Sequence, residues 1–316
     1  MMIALCALLA AAPATRLPQG PVSFTADQVT MDPKARRAIL EGRVNLKRGD
    51  LLVTGDHATA DLAPLAAKAG AKGHPKKVGA AAPGPGGEEL RRFTVDGHVH
   101  VEREGRTADG DHAEYDGEAQ TLVLTGPAAS GPVLREGGES LTGERILLHL
   151  DSDQVDVTRP RLALHRSQES PTAGTARRDG KSTPPVPVRV EAQRLLLDSN
   201  RRVAHFSDDV VIHRGEVTVR GPRMDARYDK QGDLTTLNLS GGVELRQGNR
   251  RATGRKASYD AATRQVVLTG NPRLYDRGDQ LTGERIEMAL DSHEVKIDRA
   301  RGRLRPEQHQ GEERAP

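Results

Sequence analysis

The stretch LTGERILLHLDSDQVDV at residues 141–157 returns as LTGERIEMALDSHEVKI at residues 281–297. After the shared arginine, apolar residues alternate with polar ones in both copies, at Ile146, Leu148 and Leu150 and at Ile286, Met288 and Leu290. Because successive side chains of a strand point to opposite faces, this alternation predicts strands with one dry and one wet face. Turn-forming dipeptides separate further segments of the same kind, and no dozen residues show helical periodicity. We therefore predict an all-β fold.

The repeat extends over most of the chain. Residues 26–55 align without gaps on 192–221, and residues 99–126 align on 243–270. Self-similarity of this kind indicates a stacked, solenoid-like architecture. The sequence thus predicts two tandem modules of antiparallel strands, and we expect residues 153–158 to pair with residues 188–194 where the modules join.

The predicted organisation has five parts. They are a signal peptide at 1–14, a first module at 22–164 with an insertion at 63–90, a flexible linker at 165–187, a second module at 188–301, and a disordered tail at 302–316. The apolar run at residues 3–12 is too short to span a bilayer and ends in small residues, which is typical of an export signal. This predicts a periplasmic protein; a short buried N-terminal segment is the alternative interpretation.

Composition and motifs exclude several classes of function. A mean hydropathy of −0.60 argues against a polytopic membrane protein. With 47 basic and 44 acidic residues of alternating sign, no basic cluster predicts nucleic-acid binding. The chain has one cysteine and none of the common catalytic or phosphate-binding motifs, so we predict neither an enzyme nor a cofactor. A glycan hydrolase acting through paired carboxylates is the weakest hypothesis.

The last unit, ASYDAATRQVVLTGNPRLYDRGDQLTGERIEMALDSHEVKI, resembles the C-terminal half of the LptA/OstA proteins, which carry lipopolysaccharide across the periplasm. The opening unit, ADQVTMDPKARRAILEGRVNLKRGDLLVTGD, is similar to the N-terminal stretch of the same family. The resemblance covers residues 22–157 and 188–298, once per copy. Family members usually carry one such module, whereas this chain carries two.

The resemblance implies an open, twisted β jelly roll whose two faces form a V-shaped trough with a dry interior. It also implies lipopolysaccharide as cargo, held by its lipid A acyl chains. The implied partners are OstA-like folds of inner- and outer-membrane transport components, with head-to-tail self-association as a further possibility. The alternative function is that of a periplasmic β-solenoid scaffold without lipid cargo.

Parity along the strands and the family resemblance together predict the residues that line the interior. Each of them could instead only pack the core. They are Val22, Phe24, Met31, Leu40, Val44, Leu46, Tyr115, Val188, Val190, Leu197, Phe206, Val210, Ile212, Tyr259, Leu268, Ile286 and Met288.

Polar candidates are fewer. His98 and His100 share a strand and could begin a metal site, but no third ligand is visible, so a solvated face is expected. Paired arginines recur at Arg36-Arg37, Arg201-Arg202 and Arg250-Arg251, where they could contact phosphate or solvate turns. The acid and arginine of each LTGER string are expected to form exposed cross-strand pairs.

Overall fold

The computed structural model describes residues 23–64, 88–103, 105–136, 139–164, 187–230, 232–289 and 294–303, and every regular element in it is a β-strand. The predicted signal peptide, linker and C-terminal tail lie outside the described residues, as does Val22, apart from residues 187, 302 and 303 at their borders. The two ends of the predicted insertion at 63–90 are part of regular strands. Residues 63–64 and 88–90 pair with each other, because the hairpin extends beyond the alternating stretch of the sequence.

The all-β prediction is confirmed. The first half of the chain forms twelve strands: β1 Ser23–Thr25, β2 Gln28–Asp32, β3 Arg37–Arg48, β4 Leu51–Pro64, β5 Glu88–Arg103, β6 Arg106–Asp116, β7 Thr121–Thr125, β8 Val133–Glu136, β9 Glu139–Thr142, β10 Arg145–His149, β11 Gln154–Thr158 and β12 Arg161–Leu164.

The second half repeats this series of long and short strands. Its elements are β13 Val188–Glu191, β14 Arg194–Asp198, β15 Val203–Arg214, β16 Val217–Tyr228, β17 Leu234–Gln247, β18 Arg250–Asp260, β19 Gln265–Thr269, β20 Arg273–Asp276, β21 Asp279–Thr282, β22 Arg285–Ala289, β23 Val295–Asp298 and β24 Arg301–Arg303.

All pairings are antiparallel, and they divide the fold into two stacks that we call sheet I and sheet II. Each long strand contributes one end to each sheet, whereas short strands belong to one sheet only. In sheet I the order is β2 to β7, then β10, β11, β14 to β19, β22 and β23. In sheet II it is β1, β3 to β6, β8, β9, β12, β13, β15 to β18, β20, β21 and β24.

A line of irregular residues, here called the corner, separates the two sheets. At the corner β3, β5, β15 and β17 each insert two residues with positive φ, namely Gly42-Arg43, Gly97-His98, Asp208-Asp209 and Gly241-Gly242. The paired strand inserts one residue there, so the register shifts as in a β-bulge. The bulge bends each hairpin, and sheets I and II then pack their apolar faces on each other as a single core. The architecture is an open, twisted β jelly roll.

The two halves of the chain join without a break in either sheet. β11 pairs with β14, where Val157 lies opposite Leu195, and β12 pairs with β13, where Leu162 lies opposite Val190. The sequence predicted a joint between residues 153–158 and 188–194. The first of these segments does form the joint in sheet I, but its partner is β14, because residues 188–191 pair in sheet II.

The loop after β7 passes very close to the backbone just before β10, at Gly131. Its φ is +67°, and a Cβ there would collide with the carbonyl oxygen of Gly143. Gly248, in the turn between β17 and β18, also has positive φ (+55°), but a Cβ there would meet nothing within 4 Å. We expect Gly131→Ala to lower the free energy of unfolding by about 3 kcal/mol and Gly248→Ala by about 1 kcal/mol, since only the first adds a clash to backbone strain. Urea denaturation measures both; equal losses would contradict this packing.

Candidate functional site

The interior of sheet I is an unbroken row of apolar side chains. Register partners follow one another from strand to strand, so each member contacts the next along the row. In order they are Val29, Leu40, Ala58, Val95, Ala113, Leu124, Ile146, Val157, Leu195, Phe206, Met224, Leu239, Ala257, Leu268, Ile286 and Ile297.

Sheet II carries a matching row on its inner face. Its members are Phe24, Leu46, Val53, Val101, Ala108, Leu134, Leu141, Leu162, Val190, Ile212, Val219, Leu245, Ala252, Leu274 and Leu281. Both rows therefore pass through the joint between the halves. Together they form an apolar path with no polar member from the first strands to the last.

The predicted lining residues in the described part of the chain belong to this inner phase. Leu40, Val44, Tyr115, Val190, Leu197, Phe206, Val210, Tyr259, Leu268, Ile286 and Met288 are buried. Leu46, Val188 and Ile212 are half-buried and pack on the same core. Along most of its length the interior is closed by its own side chains, because Leu141, Ile146, Leu195 and Leu268 are fully buried.

The interior is exposed at its N-terminal end. Phe24 is 48% exposed, Val29 41% and Met31 60%, although the register places all three in the inner phase. Among the described residues β1 and β2 are edge strands, each paired on one side only, and no further strand lies beyond them. At the other end the inner-phase residues Val295 and Ile297 of β23 are half-buried and pack on the core. The two ends of the path therefore differ in exposed apolar surface.

A buried acid lies at the rim of sheet II farthest from the corner. Glu139 is 5% exposed, and neither of its carboxyl oxygens has a hydrogen-bond partner among the described residues. It lies opposite Glu136, which forms an ion pair with Arg106 at 3.1 Å. Burial, and secondarily the Glu136 carboxylate, raises the pKa of Glu139 to about 8. At neutral pH the Glu139 side chain is therefore mostly a neutral acid facing the interior.

The second half has the same arrangement in a less buried form. Arg250 pairs with Asp276 at 2.8 Å, and Asp279 lies opposite Asp276. An arginine followed by two acids on three neighbouring strands thus recurs at the same rim. Sequence reasoning missed both groups, although Glu139 shares the strand phase of the fully buried Leu141 and could have been found from it.

The polar candidates from the sequence have partners of their own. His98 contacts Asp56 at 2.8 Å, whereas His100 contacts Asp109 at 2.6 Å. The described residues contain no cluster of three or more His, Cys, Asp or Glu side chains that could hold a metal. The hydrogen bond and charge of Asp56 raise the pKa of His98.

The arginines singled out above mostly pair with acids. Arg37 contacts Asp61 and Arg251 contacts Glu244, each at 2.6 Å. The expected pairing of the LTGER acids is found at the corner, where Glu144 pairs with Arg159 at 2.6 Å and Glu284 pairs with Arg299. The expectation is wrong for the arginines, because Arg285 pairs with Glu287 of its own strand at 2.8 Å and Arg145 has no acid partner among the described residues.

Comparison with known proteins identifies the family. The family model described as "LptA/(LptD N-terminal domain) LPS transport protein" matches residues 23–154 and 189–294. The chain belongs to this family. Both matched stretches coincide with the repeated strand series, and the family is one of lipopolysaccharide transport components.

The LPS-assembly protein LptD of Pseudomonas savastanoi pv. phaseolicola is 33% identical over 75 residues, which are 24% of this chain and 8% of LptD. The chain described here therefore covers less than a tenth of the length of LptD. The lipopolysaccharide export system protein LptH of Pseudomonas aeruginosa is 26% identical over 123 residues, 37% of this chain and 70% of LptH. The crystal structure of LptH, titled the LptA homologous periplasmic component of the transport device, aligns at 22% identity and a TM-score of 0.35, covering 38% of this chain and 96% of LptH.

Within the described residues there is no helix whose length and apolar character would let it cross a membrane.

The Glu139 carboxyl makes stability depend on pH. The unfolded chain releases this proton near pH 4.5, whereas the native protein holds it up to about pH 8. Between these values the native state binds more protons, so the free energy of unfolding falls by about 1.4 kcal/mol per pH unit from this group as pH rises. We expect Glu139→Gln, which has no proton to release, to remove this slope in urea titrations between pH 5 and 8.

Glu102→Gln is the matched control, since Glu102 is exposed on the outer face of sheet II. It should keep the slope of the unaltered protein. The same pH dependence in both variants would show that Glu139 is solvated in the native state.

Proposed function

We propose that this protein is a periplasmic conduit that binds the acyl chains of lipopolysaccharide and passes the lipid between inner- and outer-membrane transport components. The observation that carries the proposal is the pair of unbroken apolar rows that line sheets I and II. Family membership supports it, as do the names of LptD and LptH.

The exposed end of the path is the proposed point of lipid entry. Phe24, Val29 and Met31 offer apolar surface that is in contact with water in this structure. Each acyl methylene buried there contributes about 0.8 kcal/mol. Further along, the core is filled by its own side chains, so the lipid has to part the two sheets at the side away from the corner. Glu139 lies on that side. Because its side chain is neutral, the opening does not place a second negative charge beside Glu136.

The alternative is a scaffold whose interior only packs. The closed core of the second half, with Leu268 and Ile286 fully buried, favours this alternative. The exposed apolar residues at the first strands favour the conduit, since a scaffold gains nothing from leaving Met31 in water. Lipid co-purifying with the protein separates the two.

We further propose that the chain is a tandem duplication whose internal joint is the template for a joint between chains. By the sequence offsets, β23 corresponds to β11 and β2 corresponds to β14. Applying the register of the internal joint to the termini places Val295 of one copy opposite Met31 of the next, and Ile297 opposite Val29. The exposed N-terminal side chains would then be covered, and both apolar rows would continue from copy to copy.

The free edge of β23 can accept a strand. The carbonyl groups of Glu294 and Asp298 accept hydrogen bonds from Ala289 and Glu284 on the β22 side. Backbone groups alternate along a strand, so those of Val295 and Ile297 face away from β22. These groups have no strand partner among the described residues, so they invite strand addition by another OstA-like fold or by a second copy.

Lipid contact is tested by a photo-crosslinking residue placed on each phase of the strands. We expect benzoylphenylalanine at Phe24 or Tyr259, in the inner phase, to capture lipopolysaccharide in cells. The same probe at Lys47 or Arg220, which point outward, should capture little, because neighbouring residues of a strand face opposite sides. Equal capture from both phases would rule out the interior as the lipid path.

The proposed joint is tested by disulfide trapping in a background where Cys6 is replaced by serine. We expect the pair Val29→Cys and Ile297→Cys to give dimers and longer chains under mild oxidation, since the proposed register brings these side chains together on the inner face.

The matched control is Thr30→Cys with Ile297→Cys, whose cysteines would point to opposite faces of the joined sheet. A proline at Val295 should abolish trapping without altering circular dichroism, because it removes only a free-edge donor. Equal trapping by both cysteine pairs would mean random collision rather than this register.

A further inference from the structure

The outer face of sheet I carries a line of basic side chains beside the corner. Successive register partners place them in one row, on every second strand. The members are Arg145, Arg194, Arg223, Lys256 and Arg285, all exposed, and they span the joint between the two halves. We call this line the basic row. It lies on the side of sheet I opposite to the apolar interior.

A hydroxyl side chain lies on each intervening strand of the same row. These residues are Thr158, Ser207, Ser240 and Thr269. Each is the direct register partner of a basic residue on both sides, so basic and hydroxyl groups alternate without exception over nine strands. A hydroxyl can both donate and accept a hydrogen bond, whereas arginine and lysine only donate.

Part of the row is compensated by acids and part is not. Arg194 pairs with Asp156, and Arg285 pairs with Glu287, in the neighbouring outer row. Arg145, Arg223 and Lys256 have no acid partner among the described residues.

Three acids lie near the uncompensated residues, but none forms an ion pair with them. Asp208 and Asp209 lie at the corner beside Ser207, and Asp225 follows Arg223 by two residues, where it contacts His205 at 2.7 Å. Arg255 adds a further cation at the corner beside Lys256. Arg223 and Lys256 are thus consecutive basic members of the row, and neither has an acid partner among the described residues.

The spacing of the row defines the chemistry that fits it. Neighbouring strands are about 4.8 Å apart, so basic groups recur about every 9.6 Å, with a hydroxyl halfway between them. That repeat is the length of one disaccharide in an extended glycan. A lipid surface requires no such period, and single-stranded nucleic acid is held by aromatic stacking, which the residues of this row do not offer.

We propose that the basic row binds an extended anionic glycan that carries one acidic group per disaccharide. Guanidinium and ammonium groups contact the carboxylates, and the Ser and Thr hydroxyls bond to the sugar hydroxyls between them. The site is on the opposite face from the proposed lipid path, so it does not depend on the proposed transport function. It would let the protein hold an acidic polysaccharide while its interior is occupied.

The probe is a set of hyaluronan oligosaccharides, which bear one carboxylate per disaccharide, titrated by calorimetry against the full chain at low salt. Affinity should rise with each added disaccharide up to about five repeats, one per basic residue, and then level off, because each added contact is intramolecular. The triple variant Arg145→Gln, Arg223→Gln and Lys256→Gln should bind the longest oligosaccharide about tenfold more weakly.

The control triple variant, Arg161→Gln, Arg227→Gln and Arg273→Gln, loses the same charge from exposed positions outside the row and should bind within about twofold of the unaltered protein. Equal losses in the two variants, affinity independent of oligosaccharide length, or equal binding of neutral chitin oligosaccharides would each overturn the proposal. So would binding of vesicles rich in phosphatidylglycerol without binding of the glycan, which would assign the row to a lipid surface. Unchanged thermal unfolding of both variants confirms that they fold.

Discussion

Strand register is the constraint on which the rest of this structure depends. A slip of one residue in any strand would turn its apolar side chains outward and break each inner row to which that strand contributes. The corner makes the constraint demanding, because one strand of each hairpin inserts two residues there and its partner only one. In β4 the inner phase therefore passes from Val53 and Gly55 to Ala58 and Ala60, changing from odd to even numbers. Left-handed residues such as Asp208 and Asp209 absorb that mismatch.

The same register also sorts charge on the outside. Residues that are far apart in the sequence, such as Arg145 and Lys256, lie in one line because register partners on neighbouring strands always point to the same face of the sheet. The inner and outer faces of sheet I are therefore two products of a single alternation. One face has the chemistry of a hydrocarbon and the other that of a polyelectrolyte. At the sheet II rim the alternation also turns Glu139 inward, where it is costly to ionise.

Alternation in the sequence predicted the strands and most of the residues on the inner faces, because a period of two is a local property. The exposure of Phe24 and Met31 was not predictable, since it follows from their position on edge strands. The basic row was missed for a similar reason. Arg223 and Arg194 lie in unremarkable mixed-charge segments, and only the pairing through Ser207 brings them into line. The burial of Glu139 depends on packing between sheets, which no single strand reveals.

The joint between β11 and β14 has a consequence for how a long bridge could be built. It links segments of one polypeptide, so it forms at the high effective concentration of a tethered pair and does not depend on the abundance of the protein. A joint between β23 and β2 of separate chains would instead obey mass action. Sheet I runs about 70 Å in one molecule at the usual strand spacing. A given distance is then covered with half as many dissociable contacts as single modules would need, and dilution breaks it less readily.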